Sequence, residues 1–485
     1  MTRPASSDSF QKSDPSVLDL RPEFLNRTIL RLVWPAVTEN LLFSAVFFAD
    51  TLMVAWLRNE SALAATALVG VWMLFVNAPF FGLSIGASSL VSRSWGERDF
   101  EAARQFAGHA LILAFGLALI QFVGTWFPAE AIVRVQGGAS EVVALGHKFL
   151  RIILFSTLLG LPMIVAAGML RASGNTRTPM YITLGMNVLN IAVSIYLTFG
   201  LGPWKPLGFW GVAWGTVTAR TVGGIAMIAA LTNSSRGIGL RFRDLLTYQS
   251  PVMRRVCHQA IPSMLERGLH TLSQVVFMRI VAILGTTVLA AHNLALQVES
   301  VAFMPCVGLS FAAAAVTGQA IGAGRSDLAE MAVRRTLFWS VSTMVALGSL
   351  FVALGPWGIH LFRATPEVLR LAGMAMQLSA LEMPFLAAAF VLVGALRGAG
   401  DARSPLYVTL FCLVVFRIGV VYLFAITFKW GLAGVWVATA IDWAARTVGL
   451  WGFFRAGKWK TLHAREKRRF EEMGKAALEE QEPVL

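Results

Sequence analysis

Long apolar runs alternate with short clusters of charge along this chain. Segments 61–92, 105–129, 178–204 and 336–362 contain no Asp, Glu, Lys or Arg. Each matches or exceeds the ~20 residues an α-helix needs to cross a ~30 Å hydrocarbon layer. Lipid offers backbone amides no partner, so such runs are helical. The pattern predicts about twelve spans, near 28–57, 64–92, 104–127, 145–170, 178–200, 208–232, 254–284, 288–322, 335–355, 369–397, 404–427 and 433–455.

The expected fold class is therefore an all-α polytopic membrane protein. Composition agrees, with 56% hydrophobic and 14% charged residues and a mean hydropathy of +0.65. The net charge of +14 would suit nucleic acid, but the basic residues lie mostly between spans. With the N-terminus cytoplasmic, 28 Lys and Arg fall on the cytoplasmic side and 8 on the other. That bias follows the positive-inside rule, so both termini are expected in the cytoplasm and no nucleic-acid partner is implied. Basic loops also suit anionic membrane lipids. Cys257, Cys306 and Cys412 lack metal or redox spacing and read as packing residues.

The chain repeats itself. GMLRASGNTRTPMYITL at 168–184 matches GALRGAGDARSPLYVTL at 394–410, a constant spacing of 226. The same spacing carries Gly82-Leu83-Ser84 onto Gly308-Leu309-Ser310 and Gly96 onto Gly322, and a spacing of 227 carries Pro35 and Glu39 onto Pro262 and Glu266. An even number of spans separates equivalent points, which predicts two similarly oriented halves, as in transporters that bind substrate between repeats. The division expected is an arm at 1–27, an N-lobe at 28–232, a linker at 233–253, a C-lobe at 254–455 and a tail at 456–485, with arm, linker and tail cytoplasmic.

In the repeated Arg-x-x-Gly-x-x-Arg-x-Pro element, glycine suits a tight turn, proline the start of a helix, and arginine the lipid phosphates. Pro35 and Pro262 sit inside spans, where proline removes a backbone hydrogen bond. Either a hinge or a static kink fits. The pairs Gly82–Gly86 and Gly211–Gly215 suit close helix packing.

Ionisable residues inside spans persist only when paired or wet. Asp442 and Arg446, four apart, suit an ion pair. Glu266 and His270 share one helix face and, with Glu39 and Glu299, are candidates for lining a substrate cavity. Asp50 has no basic residue within a turn of its own helix, and the repeat places Phe277 at its counterpart position. It is therefore the leading functional acid. The seven histidines form no metal motif, and neither a nucleotide loop nor a nucleophile elbow occurs. No enzyme is expected, and coupling is expected to an ion gradient.

Taken together, WPAVTENLLFSAVFFADTLMVAWL (34–57), GLSIGASSLVSRSWGERD (82–99), NVLNIAVSIYLTFG (187–200), LGFWGVAWGT (207–216), the 394–405 element and ESVAFMPCVGLSFAAAAVTGQAIGAG (299–324) resemble the MATE (multidrug and toxic compound extrusion) family of the MOP flippase superfamily. The resemblance covers about 28–455. It implies twelve helices in two six-helix lobes around a central cavity, and export of small organic, often cationic, compounds in exchange for protons or sodium by alternating access. It also implies an inner-membrane location. No cofactor beyond the coupling ion is implied, and a monomer is expected. Asp50 matches the family's first-helix acid, Asn190 its fifth-helix asparagine and Thr216 a sixth-helix threonine.

The sequence departs from the family where many relatives carry a second acid four residues after the asparagine. Ser194 stands there, and with Asp50, Asn190 and Thr216 it completes the cation-coupling set that the resemblance implies. His270 and Leu386 replace two further acids of the sodium-coupled branch, so the resemblance favours protons. A lipid-linked oligosaccharide flippase of the same superfamily is the alternative, and would call for a more basic cavity.

Overall fold

A computed structural model describes residues 18–200, 205–233, 237–360, 362, 364–466 and 468. Twelve long helices account for most of them: α1 Leu25–Trp56, α2 Glu60–Gly96, α3 Phe100–Trp126, α4 Ser140–Ala172, α5 Arg177–Phe199, α6 Phe209–Thr232, α7 Ser250–Ile283, α8 Thr286–Gly322, α9 Ser326–Ile359, α10 Pro366–Gly398, α11 Arg403–Thr427 and α12 Gly431–Arg455. Ten are long and apolar enough to cross a membrane. The other two, α7 and α12, carry charge along their length, including Glu266, Arg267 and Arg279 on α7 and Asp442 and Arg446 on α12. Of these, Glu266, Asp442 and Arg446 are buried inside the bundle.

The helices form the two expected lobes. Within the first, α4 is the central helix, with almost every residue from Gly160 to Ala172 buried. Its repeat counterpart α10 plays the same part in the second. Between the lobes the repeat produces reciprocal contacts. A Cβ on Gly82 would lie 2.4 Å from the Cα of Met264, and one on Gly308 would lie 2.5 Å from Val37 Cγ2. Further along, Gly96 abuts the carbonyl of Gln319 and Gly322 that of Arg93. Each contact is the other's image, so the first two helices of each lobe close on one another along one seam. The pairs Gly82–Gly86 and Gly211–Gly215 serve the close approaches anticipated for them, Gly211 and Gly215 against Thr198 and Ser194.

Two terminal segments differ from expectation. The chain from Leu18 onward is docked, with the Leu18 amide donating to Gln319 Oε1 at 3.2 Å and Thr28 Oγ1 to the Asp19 carbonyl at 2.9 Å; residues 1–17 lie outside the described residues. After α12, Trp459 is buried and stacks on Phe454 with centroids 5.0 Å apart. Glu466 then accepts from Arg93 of the first lobe at 3.2 Å and from Gln259 of the second at 3.1 Å, and His463 contacts Glu97. What reads as a solvated tail is, up to Glu466, a clasp across the seam, because its acid meets the buried Arg93. The linker is also short: α7 begins at Ser250, and the Gln249 amide donates to His109 Nε2 at 2.8 Å.

Overpacking a tight contact costs about 1–3 kcal/mol. Gly82→Leu is therefore expected to loosen the seam. In a cysteine-free background carrying Ser88→Cys, which lines the space between the lobes, an impermeant maleimide added from the side of the clasp should label faster with Gly82→Leu than without it. An unchanged rate would show that the seam does not depend on this contact.

Candidate functional site

Three of the four residues assigned to ion coupling come together. Gly211 and Gly215 let α6 lie against α5, which brings Thr216 within 3.3 Å of Asn190 Nδ2. The Thr216 hydroxyl lies 2.9 Å from Asp50 Oδ2 on α1, the donor in that hydrogen bond, with the Val212 carbonyl a competing acceptor at 3.1 Å. Asp50 Oδ1 and Asn190 Oδ1 are buried without a hydrogen-bond partner among the described residues. Ser194 does not join. It is fully buried against Gly215, and its hydroxyl has no hydrogen bond among the described residues. At this position the chain places a small packing group.

Arg220, one turn beyond Thr216, was not among the assigned site residues. Its charge acts on Asp50, yet no ion pair within 4 Å joins them among the described residues. The signal existed in the sequence, four residues from Thr216, but it required knowing that α6 faces α1.

The second lobe handles its charges differently. At Thr216's repeat position stands Asp442, and at Arg220's stands Arg446; Arg446 Nε donates to Asp442 Oδ1 at 2.9 Å, as the spacing predicts. Arg417 approaches the same carboxylate at 3.7 Å and lies over Phe277, the counterpart of Asp50, at 4.6 Å. Asp442 is thus matched by two cations and Asp50 by none in contact. Glu299 is buried beside Glu382 inside this lobe and does not line the interlobe cavity.

Two repeat-related ion pairs flank the interface. Arg171 NH1 donates to Glu39 Oε1 at 2.7 Å, and Arg397 NH2 to Glu266 Oε2 at 2.5 Å, with Thr409 donating to the other Glu266 oxygen at 3.0 Å. This corrects the reading of the repeated arginine element. Its second arginines, Arg177 and Arg403, are exposed, whereas the first, Arg171 and Arg397, turn inward to acids on α1 and α7. Gly174 and Gly400, at φ 95° and 98°, make the turns that separate the two directions.

Between the lobes lies a cavity of about 120 Å³, lined in part by Arg171, Glu266, Arg267, His270, Arg397 and Arg446. Glu266 and His270 are where the helical spacing put them; Glu39 reaches the wall only through Arg171. Toward the seam the cavity narrows to a cleft in which every lining residue has its repeat counterpart opposite, including Ser84 with Ser310, Gly168 with Gly394 and Arg171 with Arg397. The repeat axis passes through that cleft. No cluster of His, Cys, Asp and Glu suited to a metal ion occurs among the described residues.

A family model described as MatE matches residues 35–196 and again 262–423. This chain belongs to the MATE family. The doubled match reproduces the internal repeat. The chain is similar to the "Probable multidrug resistance protein NorM" of Thermotoga maritima, 25% identical over 93% of this chain and 96% of that one, and to the protein of the same description in Pseudomonas aeruginosa, 29% identical over 93% and 91%. Among solved structures it resembles a MOP superfamily transporter from Pyrococcus furiosus described as having a binding pocket of reverse polarity, with a TM-score of 0.84, 24% identity, and 93% and 100% of the two chains covered. The protein is a multi-pass membrane protein of the two-lobed MATE fold.

Removing one partner of a buried ion pair leaves an uncompensated charge and costs about 3–5 kcal/mol. Glu39→Gln is expected to lower the thermal midpoint in detergent markedly, and Glu39→Gln with Arg171→Gln to recover most of the loss. Additive losses in the double variant would show that the two side chains act independently.

Proposed function

We propose that this protein is a secondary active exporter of small amphipathic organic compounds, driven by protons that bind Asp50. One observation carries the reading: Asp50 is the intramembrane acid that accepts a hydrogen bond from a hydroxyl, on Thr216, yet has no cation in contact. Asp442, Glu39 and Glu266 are each held by arginine. A carboxyl already neutralised by an ion pair gains little from a proton, whereas a desolvated, unpaired one gains much.

In the charged form Asp50 holds the Thr216 hydroxyl and feels Arg220 across α6. Protonation removes that pull and gives the carboxyl a donor of its own, so α1 and α6 are favoured in different packings in the two forms. Only such differential stabilisation couples an ion to substrate movement. Pro35, inside α1, leaves one backbone carbonyl without its helical donor, a point at which the helix can bend. Sodium is the second reading, favoured by the partnerless Asp50 Oδ1 and Asn190 Oδ1. The lack of a second acid nearby weighs against it.

The names of the NorM relatives support efflux of multiple compounds. We place the protein in the inner membrane with the clasp side and both termini cytoplasmic, on the Lys and Arg bias of the loops. The cavity and its seam are complete within one chain, so the working unit is the monomer. Lipid-linked flipping is the alternative, and the basic cavity keeps it in play.

Asp50→Asn keeps size and hydrogen bonding but cannot titrate. In proteoliposomes, uphill transport driven by a pH gradient should fall to the passive level in this variant. Wild-type uptake should follow the pH gradient and ignore sodium. Near wild-type uphill rates with Asp50→Asn, or uptake that follows sodium alone, would overturn the proton reading.

A further inference from the structure

We propose that the cavity between the lobes binds an organic acid, its carboxylate or phosphate held by Arg267 with Arg397 and Arg446 beside it and its apolar body lying against the aromatic wall. The proposal rests on the transport reading and names its substrate class, and it reverses the expectation of a cationic substrate.

The charge of the lining carries the argument. Four arginines, Arg171, Arg267, Arg397 and Arg446, face the cavity, against a single carboxylate, Glu266. Three of the four are matched from behind, Arg171 by Glu39, Arg397 by Glu266 and Arg446 by Asp442. Arg267 is not. It has no ion pair or side-chain hydrogen bond among the described residues, it is open to the cavity, and its guanidinium extends toward the other lobe, 5.8 Å from the ring centre of Phe81. Its repeat counterpart is Asn40, so the fold does not require a cation there.

The remaining groups packed around the cavity do not cancel this charge. Arg417 shares Asp442 with Arg446, which leaves two cations on one acid. Glu382 and Glu299 lie deeper, in contact with each other and outside the cavity lining. His270 adds no negative charge in either form. An unpaired guanidinium in a low-dielectric cavity is costly to maintain, and a ligand carboxylate or phosphate would meet it with the fork geometry that arginine matches best. A cation would face Arg267 with no free acid to hold it, because both Glu266 oxygens are already engaged by Arg397 and Thr409. Phe81, Phe311, Phe390 and Trp443 supply the apolar wall against which the body of such an amphipath would lie.

The test is equilibrium binding to the full chain in detergent, where no gradient enters, with two dyes of the same ring system: fluorescein, an anion at neutral pH, and a rhodamine ester, a cation. Wild type is expected to bind fluorescein in preference to the rhodamine. Arg267→Gln should weaken fluorescein binding roughly tenfold or more, the scale of one lost charge-assisted hydrogen bond. Arg267→Lys should retain part of the affinity. A wild type that prefers the rhodamine, or an Arg267→Gln protein with an unchanged elution profile and unchanged fluorescein affinity, would overturn the proposal. Competition by benzoate against competition by short-chain phosphatidic acid tells a soluble acid from a lipid headgroup, and either one competing supports anion recognition. Because binding is read without a gradient, loss of anion preference leaves proton coupling at Asp50 standing, and loss of coupling leaves the anion site standing.

Discussion

A charge taken into the interior of a membrane bundle costs several kcal/mol unless an opposite charge meets it there. Each lobe pairs an acid midway along its first helix with an arginine at the end of its fourth, Glu39 with Arg171 and Glu266 with Arg397. These pairs tie α1 to α4 and α7 to α10, the central helix in each case, and they turn the repeated loop element so that one arginine enters the protein while the next remains outside. Once those acids and Asp442 are matched, the groups left over stand out. Two of them, Asp50 and Arg267, have opposite charges and no ion pair among the described residues, and they lie in different parts of the molecule.

The repeat explains both the likeness and the departures. At the seam the two halves meet as images of one another, Gly82 with Met264 as Gly308 with Val37. At the depth of Asp50 they diverge. The first lobe places its acid on α1 opposite a threonine, while the second places an acid at the threonine's position, surrounds it with Arg446 and Arg417, and fills the Asp50 position with Phe277. The two lobes therefore share a frame and differ at this acid, which is held by arginine in the second and has no cation in contact in the first.

Much of this was legible in the residues. Spans, repeat, lobes and the trio Asp50, Asn190 and Thr216 follow from apolar run lengths, a constant spacing and a motif. What stayed hidden depends on contacts between helices distant in sequence. Glu39 and Glu266, read as cavity-lining acids, are ion-pair partners of residues more than 130 positions away. The clue was present: acid and arginine both recur at the repeat spacing, as residues that need each other would. The resemblance groups Ser194 with the ion-coupling residues because it stands at the position of the family's second acid, but the close approach of α6 at Gly215 turns it to packing. Arg267, one of several charges on α7, could not be singled out until the partners of its neighbours were known.

The clasp formed by His463 and Glu466 has a consequence for the resting population. Any rearrangement that opens the cavity on that side must part Arg93 from Glu466 and Gln319 from the Ala172 carbonyl, the latter a 2.9 Å bond across the seam. Hydrogen bonds of this kind contribute about 0.5–1.5 kcal/mol each, and more where charged, while a shift of 1.4 kcal/mol changes a two-state ratio about tenfold. The last described turn of the chain therefore acts as ballast on the equilibrium between the two faces, setting how long the protein waits on one side of the membrane without touching either ion or substrate.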